Sequence, residues 1–234
     1  MQRLIMLQAL KGQLIASVQA LPDEPLHGPE TMVKMAGAVL EGGAKALRVQ
    51  SAADIRAVKS AFPDIPVIGL IKQDYSDSEI FITPTKKEVT AIIAAGADMV
   101  ALDMTGRARP SNEKVEELVA LAHVAGRQVM ADIATYEQGI TAQSLGADCI
   151  STTLSGYTPD TQHRGDTPDF ALIRRLSQTL TVPVIAEGRI WTPEQLGQVL
   201  SAGAYTAVVG SAITRPQLIA KRFSHAMASY TETV

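Results

Sequence analysis

Apolar residues along this chain fall in short continuous runs, and half of the runs are announced in the same way. Four segments repeat a pattern: EGGAKALRV, AAGADMVALD, SLGADCIST and SAGAYTAVVG. Each has a glycine, then an alanine, then an apolar run. The glycines are Gly43, Gly96, Gly146 and Gly203. A glycine accepts the left-handed conformation that ends a helix. The alanine is small where the chain turns back, and an unalternating apolar run is the mark of a strand buried on both faces. Four further runs, LIASVQA, PVIGLIK, RQVMADI and PVIAEG, lie between them.

Together these predict eight strands, near residues 13–19, 44–49, 66–72, 98–103, 127–132, 148–152, 183–187 and 206–210. The segments between them carry helix-start chemistry. Thr135 precedes Gln138 by three residues, and Thr192 precedes Gln195 with Pro193 in the first helical position. Strands alternating with helices imply parallel pairing through right-handed crossovers. Eight units predict a closed α/β structure, a (β/α)8 TIM barrel. An open doubly wound sheet would usually have fewer strands and a glycine-rich first turn, whereas the first turn here reads QALPDEPLHG. With 234 residues the chain suits one such domain, preceded by a short amphipathic helix over residues 1–11.

Barrel enzymes carry their chemistry where strands end. Those positions give Gln19, Arg48, Lys72, Asp103, Asp132, Ser151 with Thr152, Glu187, and Gly210 with Ser211. Lys72 and Glu187 end strands 3 and 7, which face each other across an eight-stranded ring. A lysine and a carboxylate at one point suit proton transfer at carbon. The lysine must be neutral to act as a base. Burial favours that state and a nearby carboxylate opposes it, so the sequence leaves the balance open. After strands 7 and 8, IAEGRI and VVGSAITRP place Gly188, Gly210 and Ser211 where backbone N–H groups and a following helix would meet a phosphate. Arg189 or Arg215 would add charge. Two loops, residues 73–85 and 155–167, are longer than a barrel requires and are placed to cover such a site.

Composition narrows the classes of partner. The net charge is −3 with no basic run, against nucleic acid or an anionic membrane, and no apolar run has the length of a membrane span. The N-terminal segment lacks the apolar stretch and cleavage site of a secretory signal. The single cysteine, Cys149, cannot form an internal disulfide, which fits a reducing cytoplasm, and its apolar neighbours make it a core residue. His27, His123, His163 and His225 are scattered, so no metal site is expected. Asp103 and Asp132 are expected to meet substrate hydroxyls rather than a cation.

The segments SVQALPDEPLHGP, LRVQ, IGLIKQDY, FITPT, VALDMT, MADIAT, TLSGYT, VIAEGRIWTPEQ and VVGSAITRPQ resemble the N-acetylmannosamine-6-phosphate 2-epimerase family, from about residue 10 to about residue 225. The resemblance implies a cofactor-independent isomerase of sialic-acid and amino-sugar catabolism, active as a homodimer. It would interconvert N-acetylmannosamine 6-phosphate and N-acetylglucosamine 6-phosphate. Position by position, it implies Lys72 and Glu187 as catalytic residues. Gln19, Arg48 and Asp132 would contact the sugar, and Gly188, Gly210, Ser211 and Arg215 would hold the phosphate. Whether Glu187 returns the proton or only orients Lys72 stays open, as does proton return by a substrate hydroxyl. Two rivals remain: a phosphosugar aldolase forming a Schiff base on Lys72, and a silent sugar-phosphate sensor on the same fold.

Overall fold

Each repeated glycine takes a positive φ: 107° at Gly43, 94° at Gly96, 93° at Gly146 and 106° at Gly203. Each turns the chain from a helix into a strand. In two of the four repeats the following aspartate then ties neighbouring strands together. Asp98 accepts from the Val67 amide at 2.9 Å, and Asp148 from the Val129 amide at 2.7 Å. In this computed structural model, which describes residues 2–231, eight parallel strands close into a barrel in chain order. They are β1 (Leu14–Val18), β2 (Ala46–Gln50), β3 (Val67–Leu70), β4 (Met99–Asp103), β5 (Gln128–Asp132), β6 (Cys149–Ser151), β7 (Val184–Glu187) and β8 (Thr206–Val209).

The helices are α1 (Gln2–Ala9), α2 (Pro29–Glu41), α3 (Ala52–Ala61), α4 (Lys86–Ala94), α5 (Val115–Val124), α6 (Tyr136–Ser144), α7 (Phe170–Thr179), α8 (Pro193–Ser201), α9 (Ser211–Thr214) and α10 (Pro216–Thr231). The expected starts hold. Thr135 and Gln138 form a reciprocal capping box, and the Thr192 side chain accepts from the Gln195 amide ahead of α8.

Alternation along each strand feeds two cores. Outward residues such as Leu47, Val49, Val100, Leu102 and Ala131 pack against the helices. Inward residues Ile15, Ala46, Ile68, Met99, Met130, Cys149, Ile185 and Val208 fill the barrel interior. Leu7 and Leu10, in and just beyond α1, join this inner cluster, which gives the N-terminal amphipathic segment its role as a plug. Above the apolar filling the inward positions turn polar: Arg48, Asp103, Asp132, Ser151 and Glu187.

The strand boundaries fall within two residues of those expected, and two of the differences bear on the site. Strand 6 is only three residues long. Strand 3 stops at Leu70 instead of running to Lys72. Beyond Leu70 the chain leaves the ring and pairs with its own return: Thr83 N donates to Ile71 O at 2.7 Å and Gln73 N to Phe81 O at 2.9 Å. Lys72 therefore sits on a small antiparallel extension above the barrel. No helix among the described residues is long and apolar enough to cross a membrane.

Candidate active site

The polar ring is organised by Arg48, which is 1% exposed. From β2 it crosses the barrel mouth and grips Asp132 of β5 with two bonds, Nη1 to Oδ1 at 2.9 Å and Nη2 to Oδ2 at 2.6 Å. The same Nη1 lies 3.0 Å from Oε2 of Glu187 on β7. Burial works against this guanidinium charge. The carboxylates of Asp132 and Glu187 outweigh it and hold the proton on more firmly than usual.

Lys72 and Glu187 both face one cavity of about 280 Å³ at the C-terminal end of the barrel. No ion pair within 4.0 Å joins them, yet each feels the other's charge. Burial first, then the positive charges of Arg215 and Arg48, lower the Lys72 pKa from 10.5 to about 8, against the pull of Glu187 and Glu24. The Glu187 carboxyl shifts the other way. Burial raises its pKa and the charge on Asp132 adds to the rise, while Arg48 opposes it, as would any hydroxyl hydrogen that Thr153 or Ser151 gave to the carboxylate. A lysine made easier to deprotonate thus faces a glutamic acid made easier to protonate. That is the pairing a proton exchange at carbon needs.

Gln19, Gly188, Gly210, Ser211 and Arg215 line the same cavity. Gln19 Nε2 donates to Ser17 Oγ at 2.8 Å. Arg215 is steadied by Glu24 at 3.1 Å. Gly188 (φ 103°) and Arg189 (φ 58°) form a sharp turn out of β7. This turn sends the Arg189 guanidinium over the Tyr157 ring and onto the Gly165 carbonyl at 2.5 Å. The helix after Gly210 is a single turn, α9. An anion at this end would therefore be met by backbone N–H groups and by Arg215 more than by a helix dipole.

Two expected contacts fall elsewhere. Asp132 is completely buried and does not line the cavity; its oxygens are taken by Arg48 and by Thr153 Oγ1 at 2.6 Å. Asp103 turns to Arg107 at 2.7 Å and to Thr105, and lines a separate cavity with Ile80, Arg107 and Glu113. Cys149 lies in the barrel core, where burial pushes its thiol well up and leaves it unreactive. His123 pairs with Asp148 at 2.9 Å, while His163 and His225 are exposed. Among the described residues no cluster of His, Cys, Asp or Glu has the makings of a metal site.

The sequence reading missed Thr153, Phe81, Tyr157 and Trp191, all of which line the cavity. Thr153 was within reach. Cys149 and Ser151 point inward, and the same period brings residue 153 in. Phe81 enters from the 73–85 loop and Tyr157 from the 155–167 loop. Trp191, the single tryptophan, lies under the Arg222 guanidinium of α10 at 4.4 Å.

A family model described as "Putative N-acetylmannosamine-6-phosphate epimerase" matches residues 32–229. The chain belongs to this epimerase family. A relative from Clostridium perfringens, named "Putative N-acetylmannosamine-6-phosphate 2-epimerase", is 53% identical over 219 residues, covering 94% of this chain and 98% of the relative. One of the same name from Clostridioides difficile is 51% identical over 222 residues, with 95% and 99% covered. The solved structure of the Clostridium perfringens N-acetylmannosamine-6-phosphate 2-epimerase superposes with a TM-score of 0.92 at 52% identity, covering 94% of this chain and 96% of that one. A thiamine phosphate pyrophosphorylase from Pyrococcus furiosus, at 19% identity and a TM-score of 0.61, shares only the fold. The epimerase family is thus marked off from other barrels by its sequence as well as its shape.

Proposed function

We propose that this protein interconverts N-acetylmannosamine 6-phosphate and N-acetylglucosamine 6-phosphate by taking a proton from carbon 2 and returning one to the opposite face. The observation that carries this reading is the meeting of Lys72 and Glu187 in one cavity with their proton affinities moved toward each other. In the open-chain sugar, carbon 2 adjoins the C1 aldehyde, so loss of its proton gives an enolate. Neutral Lys72 takes that proton and becomes an ammonium ion. N–H donors of Gln19 and Arg48 meet the charge growing on oxygen. Glu187, entering from the opposite wall, gives its proton to carbon 2 and is left as a carboxylate. Proton movement from Lys72 back to Glu187 resets the site. Arg215 and the backbone at Gly188, Gly210 and Ser211 hold the phosphate, which fixes carbon 2 between acid and base. The chemistry is complete with the chain's own groups and calls on no cofactor. Membership of the epimerase family, with relatives that match nearly end to end, supports the substrate pair.

The test is proton NMR of N-acetylmannosamine 6-phosphate with the enzyme in D2O. The gluco epimer is expected to appear carrying deuterium at carbon 2. Product formed with carbon 2 still protonated would sink the mechanism, and the absence of product would sink the function.

The working form is a homodimer in the cytoplasm, built through the outer face of α10. This helix packs mainly on the short α9. It leaves Phe223 and Met227, one turn apart, each 72% exposed. Two large apolar side chains side by side on a helix mark a surface that another molecule covers. A reduced, buried Cys149 suits the compartment.

A further inference from the structure

Thr153 Oγ1 sits at the centre of a knot of oxygens. It lies 2.6 Å from Asp132 Oδ1, 3.0 Å from Glu187 Oε2 and 2.8 Å from Ser151 Oγ. Ser151 Oγ lies 3.3 Å from the same Glu187 oxygen. Each of these contacts needs one hydrogen between its two oxygens, because facing lone pairs repel. A hydroxyl has one hydrogen to give, and an ionised carboxylate has none. Two hydroxyls therefore cannot fill all the contacts.

The distances say where the hydrogens go. The shortest contact, to Asp132, takes the Thr153 proton. Both Asp132 oxygens also accept from Arg48, so Asp132 enters the knot as an acceptor. The Thr153 oxygen then turns a lone pair toward Glu187. An ionised Glu187 would answer with another lone pair. A protonated Glu187 fills the 3.0 Å contact, Ser151 fills the 2.8 Å contact, and only the 3.3 Å contact stays empty.

We infer that Thr153 is a positioning residue that keeps Glu187 loaded with a proton, by spending its own hydroxyl hydrogen on Asp132 and offering Glu187 an acceptor. The inference rests on Glu187 being the acid of the proposed reaction. In the step it serves, the Glu187 O–H bond breaks as the new C–H bond forms at carbon 2. The carboxylate left behind is met by Arg48 Nη1 at 3.0 Å. Burial of the carboxyl works in the same direction as the acceptor. Were the Thr153 proton given to Glu187 instead, it would favour the carboxylate and act the opposite way.

That opposition makes the test decisive. Thr153→Val keeps the shape and removes the hydroxyl; Thr153→Ser restores it; Thr153→Ala serves if valine does not fold. The valine variant is expected to lose about a hundredfold in kcat, the lower end of what a positioned acid contributes, with KM unchanged. The acid limb of its pH profile moves to lower pH, because Glu187 binds its proton less firmly. Serine brings both back. A second readout needs no turnover: the infrared stretch of a protonated carboxyl at neutral pH, assigned to Glu187 by its absence in Glu187→Gln. It should vanish in Thr153→Val. An acid limb that moves to higher pH, or a carboxyl band that persists in the valine variant, overturns the inference. If instead the band behaves as expected while Glu187→Gln still turns over at the wild-type rate, Thr153 does hold the proton, and the acid role of Glu187 is what fails.

Discussion

Arg48 holds Asp132 through a two-bond fork, at 2.9 and 2.6 Å, with neither side chain open to solvent. The pair braces the floor of the cavity, because the same guanidinium reaches Glu187. Removing one partner strands a buried charge. Asp132→Ala is expected to lower stability by about 3–5 kcal/mol and to abolish turnover. Urea denaturation and the D2O assay check the two effects. A variant as stable as the wild type would show that the fork is not the brace it is taken to be.

Lys72 and Glu187 set the pH dependence. Activity needs one proton on the pair, with the lysine neutral and the carboxyl loaded. Below the raised Glu187 pKa both groups carry protons, and the neutral base is lost. Above about 8, the Lys72 value, the second proton leaves and the acid is lost. The kcat profile is therefore a bell whose alkaline limb falls through about pH 8. In Glu187→Gln that fall should disappear, and any residual activity should instead rise through the lysine pKa. Lys72→Ala should stop both deuterium exchange and turnover while phosphate-end binding survives. Near wild-type turnover by Lys72→Ala would remove it as the base.

A lysine this easily deprotonated is also a competent nucleophile toward an aldehyde. The two chemistries part on trapping. Borohydride added during turnover would fix a Schiff base as a stable mass gain on the peptide holding Lys72. No such gain is expected, because the amine acts on hydrogen and not on carbon. A stoichiometric adduct would move the enzyme into the aldolase class.

The barrel was legible because its signals are local and repeated. Four glycine–alanine turns and eight apolar runs follow from backbone geometry alone. The cavity was legible at Lys72, Glu187 and Gln19, since strand-end polar residues have few places to go. Asp132 shows the limit. From sequence it is one more strand-end carboxylate, and its burial depends on an arginine 84 positions away. Asp103, one strand over, is turned aside by Arg107 in the same manner. Trp191 and Tyr157 lie in irregular segments, where no periodicity says which way a side chain points.

Gly69 carries a further test of how the fold is packed. It lies on the outer face of β3. A β-carbon there would come within 2.7 Å of Ile92 Cγ2, 2.8 Å of Ala97 Cβ and 2.9 Å of Ile55 Cδ1. All three neighbours belong to the core between β3 and its covering helices. Gly69→Ala is expected to cost about 1–3 kcal/mol through overpacking, read as a lower urea midpoint with the slope unchanged. A neutral result would mean that α3 and α4 can move out without loss.

Phe223 and Met227 make the association of two chains testable apart from the chemistry. The charged double substitution Phe223→Glu with Met227→Glu places two carboxylates on the exposed face of α10 and touches no residue of the cavity. Sedimentation is expected to give a dimer for the wild type and a monomer for the double variant, with the barrel's circular dichroism intact. The consequence for activity runs through Arg222, on the same helix, whose guanidinium lies over the cavity residue Trp191. A partner that pins α10 also pins that contact. Dissociation should therefore raise KM more than it lowers kcat, because Trp191 borders the space where substrate sits and supplies no proton. A wild-type chain that sediments as a monomer at micromolar concentration would remove the dimer. A double variant that dissociates with KM unchanged would keep the dimer but cut its link to the site.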